Sequence, residues 1–126
     1  MIVTETKIRV YYQDTDQMGV VYYGNYARYY EIGRTEMIRD MGFTYRQMEE
    51  MDIMLPARSL KINYLKSAYY DDLLTIRTRI TRITPAKLEH EYQVLRGTSL
   101  LAEARSLLAC VDRDGRVQRI PEEFGT

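Results

Sequence analysis

One cysteine and one histidine are all that the 126-residue chain holds of the side chains that most often bind transition metals. Cys110 alone forms no internal disulfide, and the chain has no set of ligands for a zinc cluster. His90 stands far in sequence from any nucleophile motif, so there is no Ser-His-Asp signal. No apolar run reaches the ~20 residues of a membrane-spanning helix, because charges interrupt each one. The start, Met1 to Arg9, lacks the apolar centre of a signal peptide. Net charge is absent too: 18 basic residues balance 18 acidic ones, so no overall field draws in nucleic acid. These absences predict a cytoplasmic protein with no metal, no cofactor, no membrane span and no nucleic-acid partner.

What is present suffices for one domain. With 45% hydrophobic and 29% charged residues, a chain of this length buries a core without disulfide staples. Charge is locally uneven. From Arg58 to Lys87 there are seven Lys/Arg against Asp71 and Asp72. That block reads either as a landing site for an anionic group, such as a nucleotide phosphate, or as solvated strand faces.

Hydrophobic periodicity orders the elements. Ile8, Val10 and Tyr12 alternate with Lys7, Arg9 and Tyr11, which predicts a half-buried strand over 7–12. Tyr26, Tyr29, Tyr30, Gly33, Met37, Ile38 and Met41 recur at helical spacing, with Asn25 as the expected N-cap and Gly42 as the stop. Gly33 inside that helix costs about 1 kcal/mol against alanine, so close approach of a sheet is its expected compensation. Thr44 and Gln47 form a capping box that opens a short second helix to about Met51. The period then becomes two. Strands are predicted around Leu60–Tyr64, Leu74–Thr81, Leu88–Val94 and Leu100–Val111, with turns at Thr84-Pro85-Ala86, Arg96-Gly97-Thr98 and Asp112–Gly115. The tail from Arg116 is predicted to be extended. The result is an α+β domain: one long helix on a five-stranded antiparallel sheet, its last four strands expected as a meander. One helix does not cover both faces of such a sheet, and Leu100–Val111 is apolar on much of both, so a homo-oligomer is expected.

The stretch Asp14 to Tyr26 is the densest in chemistry. Two acids, two glycines and three tyrosines lie between a strand and a helix start. A carboxylate there can attack a carbonyl or deprotonate water, and unsatisfied N–H groups at a helix N-terminus stabilise an oxyanion. On residue chemistry alone, Asp16 reads first as a turn-forming acid and only second as a catalytic one, and Asp14 reads as a structural acid. Glu31 is a second candidate carboxylate, with a contact to Arg28, Arg34 or a partner chain as its plainer role. His90 reads as a satisfied core histidine and Cys110 as an inert buried thiol.

The motif Asp14-Thr-Asp-x-x-Gly19-Val20-Val21-Tyr22, with Asn25-Tyr26 and Glu31 followed by Arg34-Thr35-Glu36, resembles the hotdog-fold thioesterases. The similarity is to the family of 4-hydroxybenzoyl-CoA thioesterase and the Tol–Pal-associated acyl-CoA thioesterases, over about Ile8 to Val111. It implies a sheet wrapped around the helix, dimers joined sheet edge to sheet edge, tetramers built from those dimers, and a site between subunits. It further implies Asp16 as catalytic carboxylate and the backbone N–H of Tyr23 or a neighbour as the group polarising the thioester carbonyl. Gly19, Val20, Val21, Tyr22, Asn25, Tyr26 and Glu31 are the expected substrate contacts, and Arg79, Arg82 and Lys87 the candidate CoA-phosphate ligands. Many acyl-CoA members carry histidine at the position of Tyr23; the hydroxybenzoyl-CoA enzyme resembles this chain in having tyrosine. The implied activity is hydrolysis of an acyl- or aroyl-CoA. An acyl carrier protein thioesterase and a non-catalytic acyl-CoA-binding domain are the alternatives.

Overall fold

The computed structural model describes residues 3–122. Strand β1 (Val3–Arg9) leads through a short 3₁₀ turn (Tyr12–Asp14) to helix α1 (Asn25–Asp40) and helix α2 (Tyr45–Glu50). Strands β2 (Ala57–Tyr64), β3 (Leu73–Ile83), β4 (Lys87–Arg96) and β5 (Ser99–Ala109) follow. All pairings are antiparallel, in the spatial order β1-β3-β4-β5-β2. This is the expected α+β arrangement of five strands and one long helix. The expected four-strand meander needs correction. Only β3, β4 and β5 are consecutive neighbours; β2 crosses the sheet to pair with β5 and becomes an edge. The link 65–72 carries the chain from one edge to the interior, and short-range periodicity holds no information about such a crossover.

The alternation along β3 and β4 is obeyed. Leu74, Ile76, Thr78 and Ile80, with Leu88, His90, Tyr92 and Val94, are buried and point at α1. The helix answers with Tyr26, Tyr29, Tyr30, Gly33, Met37 and Ile38. One core joins Tyr26, Tyr29 and Tyr30 to Ile76, Tyr92, Val94, Ala102 and Ala104; a second joins Met37, Ile38 and Met48 to Leu88, Leu108 and Cys110. Gly33 is required by the sheet, though through a side chain rather than a backbone. A β-carbon there would collide with the Thr78 hydroxyl and lie 3.1 Å from Ile76 Cγ2.

Several local expectations shift. The first strand starts at Val3 and ends at Arg9, so Tyr12 enters the 3₁₀ turn and is 73% exposed instead of facing the core. Asn25 is the first helical residue, not the cap; Gly24 holds the N-cap position and no side chain caps it. Thr44 and Gln47 do form the capping box of α2, with Gln47 N–H donating to Thr44 Oγ1 at 3.0 Å. His90 is buried, but its Nδ1 has no partner among the described residues, so it is a core histidine and not a satisfied one. Val117 bridges back to Val111 around the Gly115 turn, so the tail begins as a hairpin. Residues 123–126 of the expected extended tail lie outside the described residues.

The outer face of the sheet is polar. Arg77 donates to Glu5 and Gln93, and Glu91 accepts from Arg79 and forms an ion pair with Arg105. Exposed apolar side chains collect instead along β2 and beside the Asp14–Tyr26 loop: Leu60, Tyr64, Leu65, Met18, Tyr22 and Tyr23. No helix among the described residues is long and apolar enough to cross a membrane.

Candidate active site

The loop between β1 and α1 is built on Asp14. Its carboxylate accepts from Arg28 Nη2 through Oδ1 and from the Tyr11 N–H at 2.9 Å through Oδ2. Its carbonyl accepts from the Tyr22 N–H at 2.9 Å and from Asn25 Nδ2 at 2.8 Å. Asn25 therefore bolts the helix start to the turn, which is why it is not free to cap the helix. Asp14 is 4% exposed and is the structural acid of the pair.

Five residues on, Gly19 adopts φ +77, a left-handed conformation that suits glycine, and its N–H donates to the Asp16 carbonyl at 3.0 Å. Asp16 also receives the Met18 N–H on Oδ1 at 2.9 Å. That is the turn-forming role, and it uses one oxygen only. Oδ2 accepts no hydrogen bond among the described residues. The Val21 N–H donates to the Ala68 carbonyl at 2.8 Å, and Val20 bridges Tyr69, so the loop is stitched to the segment entering β3.

Asp16 opens into a cavity of about 290 Å³, shared with Val20, Val21, Tyr23 and Tyr26 from the expected set. Gly19, Tyr22, Asn25 and Glu31 do not line it. Gly19 shapes the turn. The Tyr22 ring lies over Gly24, where a β-carbon would sit 2.6 Å from Tyr22 Cε2. Asn25 holds Asp14, and Glu31 is exposed on α1 with neither Arg28 nor Arg34 as ion-pair partner, since Arg28 goes to Asp14 and Arg34 to the Tyr92 hydroxyl at 3.1 Å. Burial holds the Tyr26 phenol above its ordinary range, so this wall of the cavity stays uncharged.

The helix start beside Asp16 carries open donors. Asn25 N–H donates to the Tyr22 carbonyl at 2.9 Å and Tyr26 N–H to the Tyr23 carbonyl at 3.3 Å. The N–H groups of Tyr23 and Gly24 reach no acceptor among the described residues. A carboxylate with one unshared oxygen, sharing a cavity with a helix N-terminus that carries open N–H groups, supplies the two components that carbonyl chemistry needs.

The remaining walls are Met18 from the loop itself and, from β2 and its exit, Tyr64, Leu65, Lys66 and Ser67. Sequence reasoning did not select them. Lys66 lies in the basic block and is the one cation on the cavity wall, with its Nζ donating to Ser99 Oγ at 3.3 Å. Nothing in spacing distinguishes it from the other six. Arg79, Arg82 and Lys87 are elsewhere. Arg79 is paired with Glu91 on the outer face, while Arg82 and Lys87 flank a separate cavity of about 330 Å³ at the β3–β4 turn. Asp16 sits at the other end of β3, and a strand rises roughly 3.3 Å per residue, so one chain does not bring these cations to its own Asp16.

Comparison with known proteins identifies the fold and its family. The model of the thioesterase-like superfamily matches residues 10–126. The acyl-CoA thioesterase YbgC of Haemophilus influenzae is 38% identical over 106 residues, covering 83% of this chain and 78% of that protein. A probable thioesterase from Bartonella henselae superimposes with TM-score 0.91 at 36% identity, covering 94% of this chain and 99% of that one. A DHNA-CoA thioesterase structure from Staphylococcus aureus gives TM-score 0.92 at 31% identity, with 99% and 85% covered. A five-stranded antiparallel sheet wrapped around one long helix is thus shared architecture, and the chain belongs to the thioesterase-like superfamily.

Proposed function

We propose that this protein is an acyl-CoA thioesterase in which Asp16 drives hydrolysis and the helix-start N–H of Tyr23 receives the oxyanion. The observation that carries the reading is one cavity holding both the Asp16 carboxylate and the open helix start. The relatives named as acyl-CoA thioesterases support the reaction class.

Two routes fit the residues. In one, Asp16 takes a proton from water while the water oxygen attacks the thioester carbon; the C–S bond then breaks, and the CoA thiolate leaves and takes up a proton. In the other, Asp16 attacks the carbon itself, expelling the thiolate and leaving an acyl–aspartyl anhydride that water cleaves. Single turnover in ¹⁸O-water separates them when the anhydride is cleaved at its aspartyl carbon, because label then enters the Asp16 side chain, which the first route never labels. In both, negative charge grows on the carbonyl oxygen, where an N–H aimed from a helix terminus is worth most.

The site is proposed to be completed by a second copy. β2 is an edge with exposed Leu60 and Tyr64, and pairing two such edges extends the sheet. A partner chain is also what would bring Arg82 and Lys87 toward a CoA held at Asp16, and tetramers would pair such dimers. Sedimentation at micromolar concentration tests this; a monomer at all concentrations removes it.

Asp16→Asn with a panel of acyl- and aroyl-CoA substrates and thiol-release detection tests the function. Turnover should vanish while the fold is kept; full activity in the variant rejects Asp16. Faster cleavage of carrier-protein thioesters in the same panel would move the assignment to that carrier.

A further inference from the structure

Tyr64 is the last residue of β2 and lies 41 positions from Tyr23 in the chain. Its hydroxyl donates to the Tyr23 carbonyl at 3.0 Å. Its ring stands edge-on to Tyr23, with centroids 6.2 Å apart at 85°, and to Tyr26, 5.1 Å apart at 85°. The same side chain borders the Asp16 cavity.

The Tyr23 carbonyl is one end of the peptide joining Tyr23 to Gly24. In a trans peptide the N–H points opposite to the C=O, so a donor that holds the carbonyl fixes the direction of the Gly24 N–H. The helix holds this carbonyl loosely. Tyr26 N–H reaches it at 3.3 Å, beyond the usual N–H···O distance of about 2.9–3.0 Å. The preceding peptide is held from within the helix, by Asn25 N–H on the Tyr22 carbonyl at 2.9 Å, and that sets the Tyr23 N–H. Two consecutive N–H groups are therefore left open, and the second is aimed from outside the helix by Tyr64. Donation into a carbonyl also polarises its own peptide, which strengthens the N–H at the other end.

We propose that Tyr64 is a positioning residue whose hydroxyl holds the Tyr23–Gly24 peptide, so that the open Gly24 N–H faces the thioester carbonyl beside that of Tyr23. This rests on the assignment of Asp16 and the Tyr23 backbone to the site. It makes the edge strand β2 a brace for the oxyanion donors and not only a wall of the cavity.

Tyr64→Phe keeps the ring and both edge contacts and deletes only the hydroxyl. The net worth of one hydrogen bond corresponds to a fall in kcat of about 3- to 10-fold. KM for acyl-CoA and the thermal midpoint should stay at wild-type values. A wall residue would instead move KM and leave kcat alone. An unchanged kcat, or a change confined to KM or to the midpoint, overturns the proposal. Asp16→Asn measured in the same series separates the two levels. If it is inactive while Tyr64→Phe turns over like wild type, the positioning role alone fails. If Asp16→Asn retains turnover, the site assignment and the positioning role fall together.

Discussion

Arg28 lies against Asp14, and that contact divides the labour between the two acids of the Asp14-Thr15-Asp16 turn. Asp14 spends both carboxylate oxygens on Arg28 and the Tyr11 N–H, whereas Asp16 spends one on Met18. Asp14→Ala should thus be a stability variant. Losing a buried acceptor of two hydrogen bonds costs about 2 kcal/mol, roughly 8 °C in Tm for a chain of this size. Asp16→Asn should leave Tm in place and remove turnover. Thermal melts of both variants check this; a Tm loss in Asp16→Asn and none in Asp14→Ala would reverse the roles.

If the Tyr23 contribution is its backbone, its ring is dispensable for the chemical step. Tyr23→Ala should keep kcat within about threefold while KM rises, because one aromatic wall of the cavity is gone and the N–H remains. A collapse of kcat at unchanged KM would assign the chemistry to the phenol instead.

His90 makes the fold acid-sensitive. Burial, and then the nearby Arg34 charge, lower its imidazole from the ordinary 6.5 to about 3. Between these values the unfolded chain binds a proton that the folded chain does not, so stability is lost as pH falls below about 6.5. The slope contributed is at most about 1.4 kcal/mol per pH unit. His90→Leu should flatten the stability profile between pH 6.5 and 5 by close to one proton. Urea melts across that window give the comparison, and parallel profiles would show that His90 is not the group responsible.

Gly33→Ala sets two effects against each other. Helix propensity favours alanine by about 1 kcal/mol, and overpacking opposes it by about 1–3 kcal/mol. The Thr78 hydroxyl stands in the new methyl's place on a rigid strand, so the clash should win. Thr78→Ala in the same chain should recover part of the loss, and denaturant melts of the two single variants and the double variant measure that coupling. Additive losses would mean the two residues do not compete for space.

Much of the fold is legible along the chain because it is local. The 3.6-residue recurrence of Tyr26, Tyr30, Gly33 and Met37 places α1, and strict alternation over Leu88 to Val94 places β4 with the right face inward. The Thr44 cap needs only Gln47, three residues away, so it too is readable. Asn25 misleads for the opposite reason: its amide finds the Asp14 carbonyl, an acceptor supplied by the turn's position in space. Tyr12 follows the alternation of its strand on paper but leaves it at the 3₁₀ turn. Tyr64 and Lys66 carry no signal in the sequence, because what makes them cavity residues is a strand that crosses the sheet.

The elements, their buried faces and the acid-bearing turn at a helix start are written along the chain. Those follow from periodicity, capping and turn chemistry, which act over a few residues. Tertiary structure decided that β2 sits beside β5 and not β3, that Asp14 rather than Asp16 is held by Arg28, and that Tyr64 reaches Tyr23. These are contacts between segments distant in the chain, and they exist only once burial of the helix has closed the sheet around it.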